Sequence, residues 1–124
     1  MNFITNFLIL HNQLKVYHWQ TQKSVGSHAA HLAFGQAYDE LGDFIDTFVE
    51  IYQGKKGLIM GKNGFIIKLH NLDDDYEKFI DVYVNFLVKN VTEALDPTLD
   101  TDLLNIRDEM LGVLNQTKYR LHMK

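Results

Sequence analysis

Apolar residues recur at alternating steps of three and four along four separate stretches, and this pattern limits the fold more than any other feature. Phe3, Phe7, Leu10, Leu14 and Tyr17 form the first set, and Phe34, Ala37, Leu41, Phe44, Ile45, Phe48 and Tyr52 the second. Tyr76, Phe79, Ile80, Tyr83, Phe86 and Leu87 follow, then Leu103, Ile106, Met110, Leu114 and Leu121. A period near 3.6 puts each set on one face of a helix, and that face must be buried against its neighbours. The spacing predicts helices over 2–21, 28–53, 74–92 and 101–121. Local signals agree. Ser27 suits an N-cap and Gly54 a helix end, while Asp73, Asp74 and Asp75 place negative charge where a helix dipole favours it. Pro97, the one proline, sits in "LDPTLDTD", a break whose Asp and Thr residues can cap the last helix.

Residues 54–72, "GKKGLIMGKNGFIIKLHNL", hold four glycines and no sustained period. They predict a long connection, with a short strand or helical turn at Phe65 to Leu69. Four helices of similar length, with the long link between the second and third, predict an all-α four-helix bundle in the ferritin-like arrangement. At 124 residues the expectation is one domain, 1–124, burying about two-thirds of its unfolded surface.

Several chemistries are excluded or disfavoured. Without cysteine there is no disulfide, thiolate metal site or thiol nucleophile, so any metal must take imidazole and oxygen ligands. "MNFITNFLIL" lacks a basic n-region and a small-residue cleavage site, and no apolar run approaches a membrane span, so a cytoplasmic location and no membrane partner are expected. A net charge of −4 without a basic tail argues against nucleic acid. Lys55, Lys56, Lys62 and Lys68 make the long connection the one basic patch, as expected of a solvated loop. "GLIMGKNG" is no phosphate loop: Gly57 and Gly61 are one residue too close, and Asn63 stands where magnesium needs Ser or Thr. The two serines, Ser24 and Ser27, both fall in the first link and support no Ser/His/Asp order.

The second helix carries the unusual chemistry. At about 100° per residue Asp39, Asp43, Asp46 and Glu50 share one narrow stripe opposite the apolar face. Such a stripe is ordinarily solvated, yet like charges at i, i+4 are unfavourable and no Lys or Arg intervenes. His28 and His31 continue the same edge. His31 and Asp46 are 15 residues apart, about 22 Å of helix, so they cannot hold one ion within a chain. Two second helices packed antiparallel across a two-fold axis would bring His31 of one opposite Asp46 and Glu50 of the other. On the first helix His11 and His18 are seven residues apart and flank the apolar stripe, where a hydrogen-bonded structural histidine is the ordinary expectation. Trp19 is expected to pack.

The residues "LKVYHWQT", followed by the histidine of "AAHLAFGQAYDELGDFIDTFVE", resemble the Dps-type mini-ferritins. In that family a His-Trp pair on the first helix, a histidine early in the second, and an Asp and Glu four apart late in the second form ferroxidase centres between two-fold-related subunits. The resemblance implies His18, His31, Asp46 and Glu50 as metal ligands, with Asp39 and Asp43 as secondary candidates. It further implies iron, or else zinc or manganese, and a homo-oligomer through the first two helices. The whole chain resembles most the short ferritin-like proteins of tailed bacteriophages, which implies the host cytoplasm. Two departures stand out. Mini-ferritins place another carboxylate one turn after the second-helix histidine, where this chain has Gly35. The Glu-x-x-His pairs of larger di-iron proteins are absent, Glu50 preceding Gln53 and Glu109 preceding Gly112. The competing expectation is therefore a metal-free structural or host-interaction bundle of a bacteriophage that has lost ferroxidase chemistry.

Overall fold

A computed structural model describes residues 3–21 and 28–123. Helix α1 spans Phe3–Gln20 and α2 spans His28–Lys56. Helix α3, Tyr76–Asn85, runs through a π-helical turn, Phe86–Val91, into α4, Thr92–Ala94, and α5 takes Thr101–Leu121. The described residues thus form an all-helical bundle of four long rods, the third being α3 to α4.

Side-chain contacts give the topology. At one end of the core Phe3 and Phe7 of α1 meet Phe48 of α2 and Phe86 edge to face, with centroids 5.2 to 6.5 Å apart. At the other end Tyr17 meets Phe34, Tyr76 and Phe79. These pairings make α1 antiparallel to both α2 and the third rod. The C-terminal Lys55 and Lys56 of α2 meet Asp100 before α5, so α2 and α5 are antiparallel too. The second and third rods therefore run parallel, and the chain must travel back along the bundle between them. That is why the connection is long.

Polar residues inside α1 hold this connection in place. Buried Gln13 donates from Nε2 to the His70 carbonyl at 2.8 Å and accepts the His70 amide at 2.9 Å. The Tyr17 hydroxyl is hydrogen-bonded to His70 Nε2 at 2.7 Å, and Gln20 accepts the Leu72 amide and donates to Asn71. Connection backbone that crosses a helix needs partners for its amides and carbonyls, and α1 supplies them. Burial pushes the Tyr17 hydroxyl up to about 12, with Asp73 adding to the shift.

The helix boundaries differ from expectation for local reasons. Gly54 stays helical, and α2 closes two residues later than its lysines begin, at Gly57. Gly57 has φ 91°, and its amide bonds Gln53 O at 2.9 Å. A left-handed residue ends a helix, and Gly54 is not one. Asp73 accepts the Asp75 amide in a turn ahead of α3, so the third rod starts at Tyr76 rather than 74. Phe65 to Leu69 is neither strand nor helical turn, since Gln13 and Gln20 rather than a local ladder satisfy the adjacent backbone. The expected cap Ser27 lies outside the described residues.

Asp100, just before α5, does not cap that helix with its side chain. Its almost fully buried carboxylate takes Lys56 at 2.7 Å, the Asp96 amide at 2.7 Å and Lys55 at 3.0 Å. Those bonds hold it well below the usual carboxylate range. Cations in the last turn of α2 and anions at the start of α5 each oppose their helix dipole, so the clamp is favourable on both sides.

Candidate functional site on the outer face of the first two helices

The α1–α2 seam is built from two similar units. His18 of α1 stacks on His31 of α2 with ring centroids 4.0 Å apart and planes 14° from parallel. Two turns away His11 stacks on Tyr38 at 4.1 Å and 4°. In each unit the α1 histidine donates to the backbone carbonyl of its stacking partner: His18 Nδ1 to His31 O at 2.8 Å, and His11 Nε2 to Tyr38 O at 3.0 Å.

A glycine four residues after each partner makes this possible. A Cβ on Gly35 would lie 2.7 Å from His18 Cε1 and 2.8 Å from Nδ1, and one on Gly42 would lie 3.2 Å from His11 Nε2. Helical Cβ atoms lean toward the N-terminus and cover the carbonyl four residues back. Without that Cβ, the second lone pair of the His31 and Tyr38 carbonyls is open to a ring from α1. Gly35 is therefore the seat of His18, and a carboxylate there would displace the ring. The spacing was present in the sequence as His11 and His18 seven apart, opposite His31-x3-Gly35 and Tyr38-x3-Gly42, also seven apart. Gly42 and Tyr38 carry no signal of their own in the sequence, because each looks ordinary alone.

The His18–His31 unit is reciprocal. His31 Nδ1 donates back to His18 O at 2.7 Å, and Thr21 Oγ1 also bonds His18 O. A carbonyl only accepts, so both rings carry hydrogen on Nδ1 and, when neutral, a lone pair on Nε2. Among the described residues neither Nε2 has a hydrogen-bond partner. A donor bond from the other ring nitrogen to a carbonyl is the usual support of a metal-binding imidazole.

The expected carboxylates lie elsewhere on the face. Asp46 and Glu50 rim a groove of about 320 Å³ floored by Ile4, Phe7, Leu8, Ile45 and Val49, with His11 at its edge. Burial lowers the His11 pKa, against the opposing pull of the Tyr38 carbonyl and Asp46. Asp39 and Asp43 are exposed on the same stripe, and none of the four acids forms an ion pair among the described residues. His18 and His31 meet, Asp46 and Glu50 line one groove, and the two pairs stand apart along the α1–α2 hairpin. No group of three or more His, Asp or Glu residues that could hold a metal occurs among the described residues. Trp19 corrects an expectation: it is 56% exposed, and Lys15 lies 5.0 Å from its ring and 5.3 Å from that of Tyr38. It is a surface residue rather than a packed one.

Fold and face together define a four-helix bundle protein with histidines at one end of an exposed helical hairpin and carboxylates at the other. Residues 18–121 match a family described as a family of unknown function, DUF5856, and the chain belongs to that family. The match includes His18, His31, Asp46 and Glu50. No curated protein and no solved structure matches the chain. No helix among the described residues is long and apolar enough to cross a membrane.

Proposed function

We propose that the protein is a ferritin-like bundle that self-associates through α1 and α2 and takes ferrous iron as substrate at sites shared between two copies. His18 and His31 of one copy and Asp46 and Glu50 of the other supply the ligands. The observation that carries this reading is the reciprocal pair of Nδ1–H to carbonyl bonds, which fixes both imidazoles in the tautomer a metal requires. Carboxylate on the opposite copy supplies hard oxygen donors, and mixed nitrogen and oxygen ligation suits iron, with zinc or manganese as competitors. On oxidation each ferrous ion gives one electron, and dioxygen or peroxide accepts it.

The second reading, a metal-free structural or host-interaction bundle, has its own support. The His11–Tyr38–Gly42 unit repeats the same stacking and carbonyl bond with a tyrosine as partner, so helix packing alone accounts for the arrangement. One experiment separates the two. Ferrous iron is titrated anaerobically into the protein and air is then admitted, for the parent chain, Asp46→Ala, Glu50→Ala and His31→Gln. Stoichiometric binding and fast oxidation lost in all three variants support shared sites. Identical traces for all four proteins, or a strict monomer by light scattering at micromolar concentration, refute them.

A further inference from the structure

A second site lies on the other flank of α2, in the seam where the start of α2 meets the end of α5. A cavity of about 470 Å³ is lined there by His28, Ala29, Leu32, Ala33, Gln36, Arg120 and Met123. Arg120 is its unusual member. Its Nη1 is buried and has no hydrogen-bond partner. Lys118, two residues earlier, reaches Asp81 at 2.5 Å, and Arg107 reaches Asp108 at 2.8 Å. No carboxylate among the described residues pairs with Arg120, and the nearby Gln36 amide is turned to Glu40 at 2.9 Å.

A buried donor nitrogen without an acceptor is costly, and folded proteins leave few of them without a purpose. The guanidinium presents a planar fork matched to a carboxylate. His28 adds a second polar group at the first turn of α2, where the helix dipole also favours negative charge. The remaining walls, Ala29, Leu32, Ala33 and Met123, are apolar, with Leu32 and Met123 both more than half exposed at the mouth. One guanidinium beside mainly apolar walls fits a monoanion with an apolar body better than a phosphate dianion, which needs more donors.

We infer that this cavity binds a small organic carboxylate whose charge pairs with Arg120 and whose hydrocarbon part lies against Ala29, Leu32, Ala33 and Met123. The site lies in the α2–α5 seam rather than at the His18–His31 stack of the α1–α2 seam, and it does not depend on any metal there.

The test uses octanoate as probe, with octan-1-ol and inorganic phosphate as comparators, titrated calorimetrically into the full chain, Arg120→Gln and Leu32→Glu. Leu32 is on the surface, so its replacement places an acid at the mouth without disturbing the core. The expected result is saturable one-to-one binding of octanoate, no comparable binding of octanol or phosphate, and an affinity loss of about tenfold or more in both variants, as removal of a charge-assisted bond or addition of a like charge requires. Backbone amide shifts on titration should centre on Ala29, Ala33 and Arg120. The inference is overturned by no saturable octanoate binding at millimolar concentration, by equal affinity in Arg120→Gln, or by octanol or phosphate binding as well as octanoate does.

Discussion

Replacing Gly35 by alanine should destabilise the bundle, although the same change in an open helix stabilises it. Alanine gains about 1 kcal/mol over glycine in a helix interior. At position 35 the new methyl would sit 2.7 Å and 2.8 Å from the His18 ring, closer than carbon atoms tolerate. The ring must move, ending the His18 Nδ1 bond to His31 O and the stack on His31. One hydrogen bond contributes about 1 kcal/mol and overpacking costs about 1–3 kcal/mol, so the net loss is about 1–3 kcal/mol. For a chain of this size that lowers Tm by about 4–12 °C. Urea denaturation followed by circular dichroism measures it, with two controls. Gly112→Ala, which meets nothing within 4 Å on exposed α5, should stabilise by up to about 1 kcal/mol. Gly35→Ala made on a His18→Ala background should also stabilise, because the obstacle is gone. A sign reversal between backgrounds is the signature of the seat. Equal effects in both backgrounds, or a Gly35→Ala protein as stable as Gly112→Ala, would refute the reasoning.

Gly42→Ala meets His11 at 3.2 Å rather than 2.7 Å, so its steric loss and helix gain should nearly cancel, leaving the denaturation midpoint within about 1 kcal/mol of the parent. Tyr17→Phe keeps the ring and loses the bond to His70, costing about 1 kcal/mol and speeding amide exchange at His70 and Leu72. Because the folded Tyr17 ionises near 12 and an unfolded tyrosine near 10, its contribution is complete below about pH 10 and is lost as pH rises toward 12. The latest step in a tyrosine absorbance titration should vanish in Tyr17→Phe. The Asp100 carboxylate is held below its unfolded value, so the stability it adds is present above about pH 3.9 and is lost as pH falls through the folded value. Asp100→Asn should lower Tm at pH 7 and flatten the dependence of Tm on pH below 4; an unchanged acid slope would exclude the clamp as its source.

The apolar period by itself determined four helices and their core faces. Phe3, Phe7, Leu10, Leu14 and Tyr17 are all buried, as are Phe34, Ala37, Leu41 and Phe48, because burying a 3.6-residue stripe is the dominant gain available to such a chain. The glycine-bearing, aperiodic run from 54 to 72 likewise determined a long connection. The ends of helices were less legible. Gly54 and Gly57 look alike in sequence, and only the backbone path makes Gly57 left-handed. The site was legible in part: the resemblance carried by "LKVYHWQT" and the later histidine brought His18 and His31 together, but their stacking depends on how closely α1 approaches α2. Gly35, read from sequence as a missing ligand, proved to be what allows that approach. Gln13, Asp100 and Arg120 carry no periodic signal at all. Whether a polar side chain ends buried and paired, or buried and unpaired, is decided by the chain segment lying across it. His70 lies against Gln13, Lys56 against Asp100, and no acceptor among the described residues lies against Arg120 Nη1. Such meetings across 44 or 57 residues of chain come from packing, which a periodic pattern does not encode.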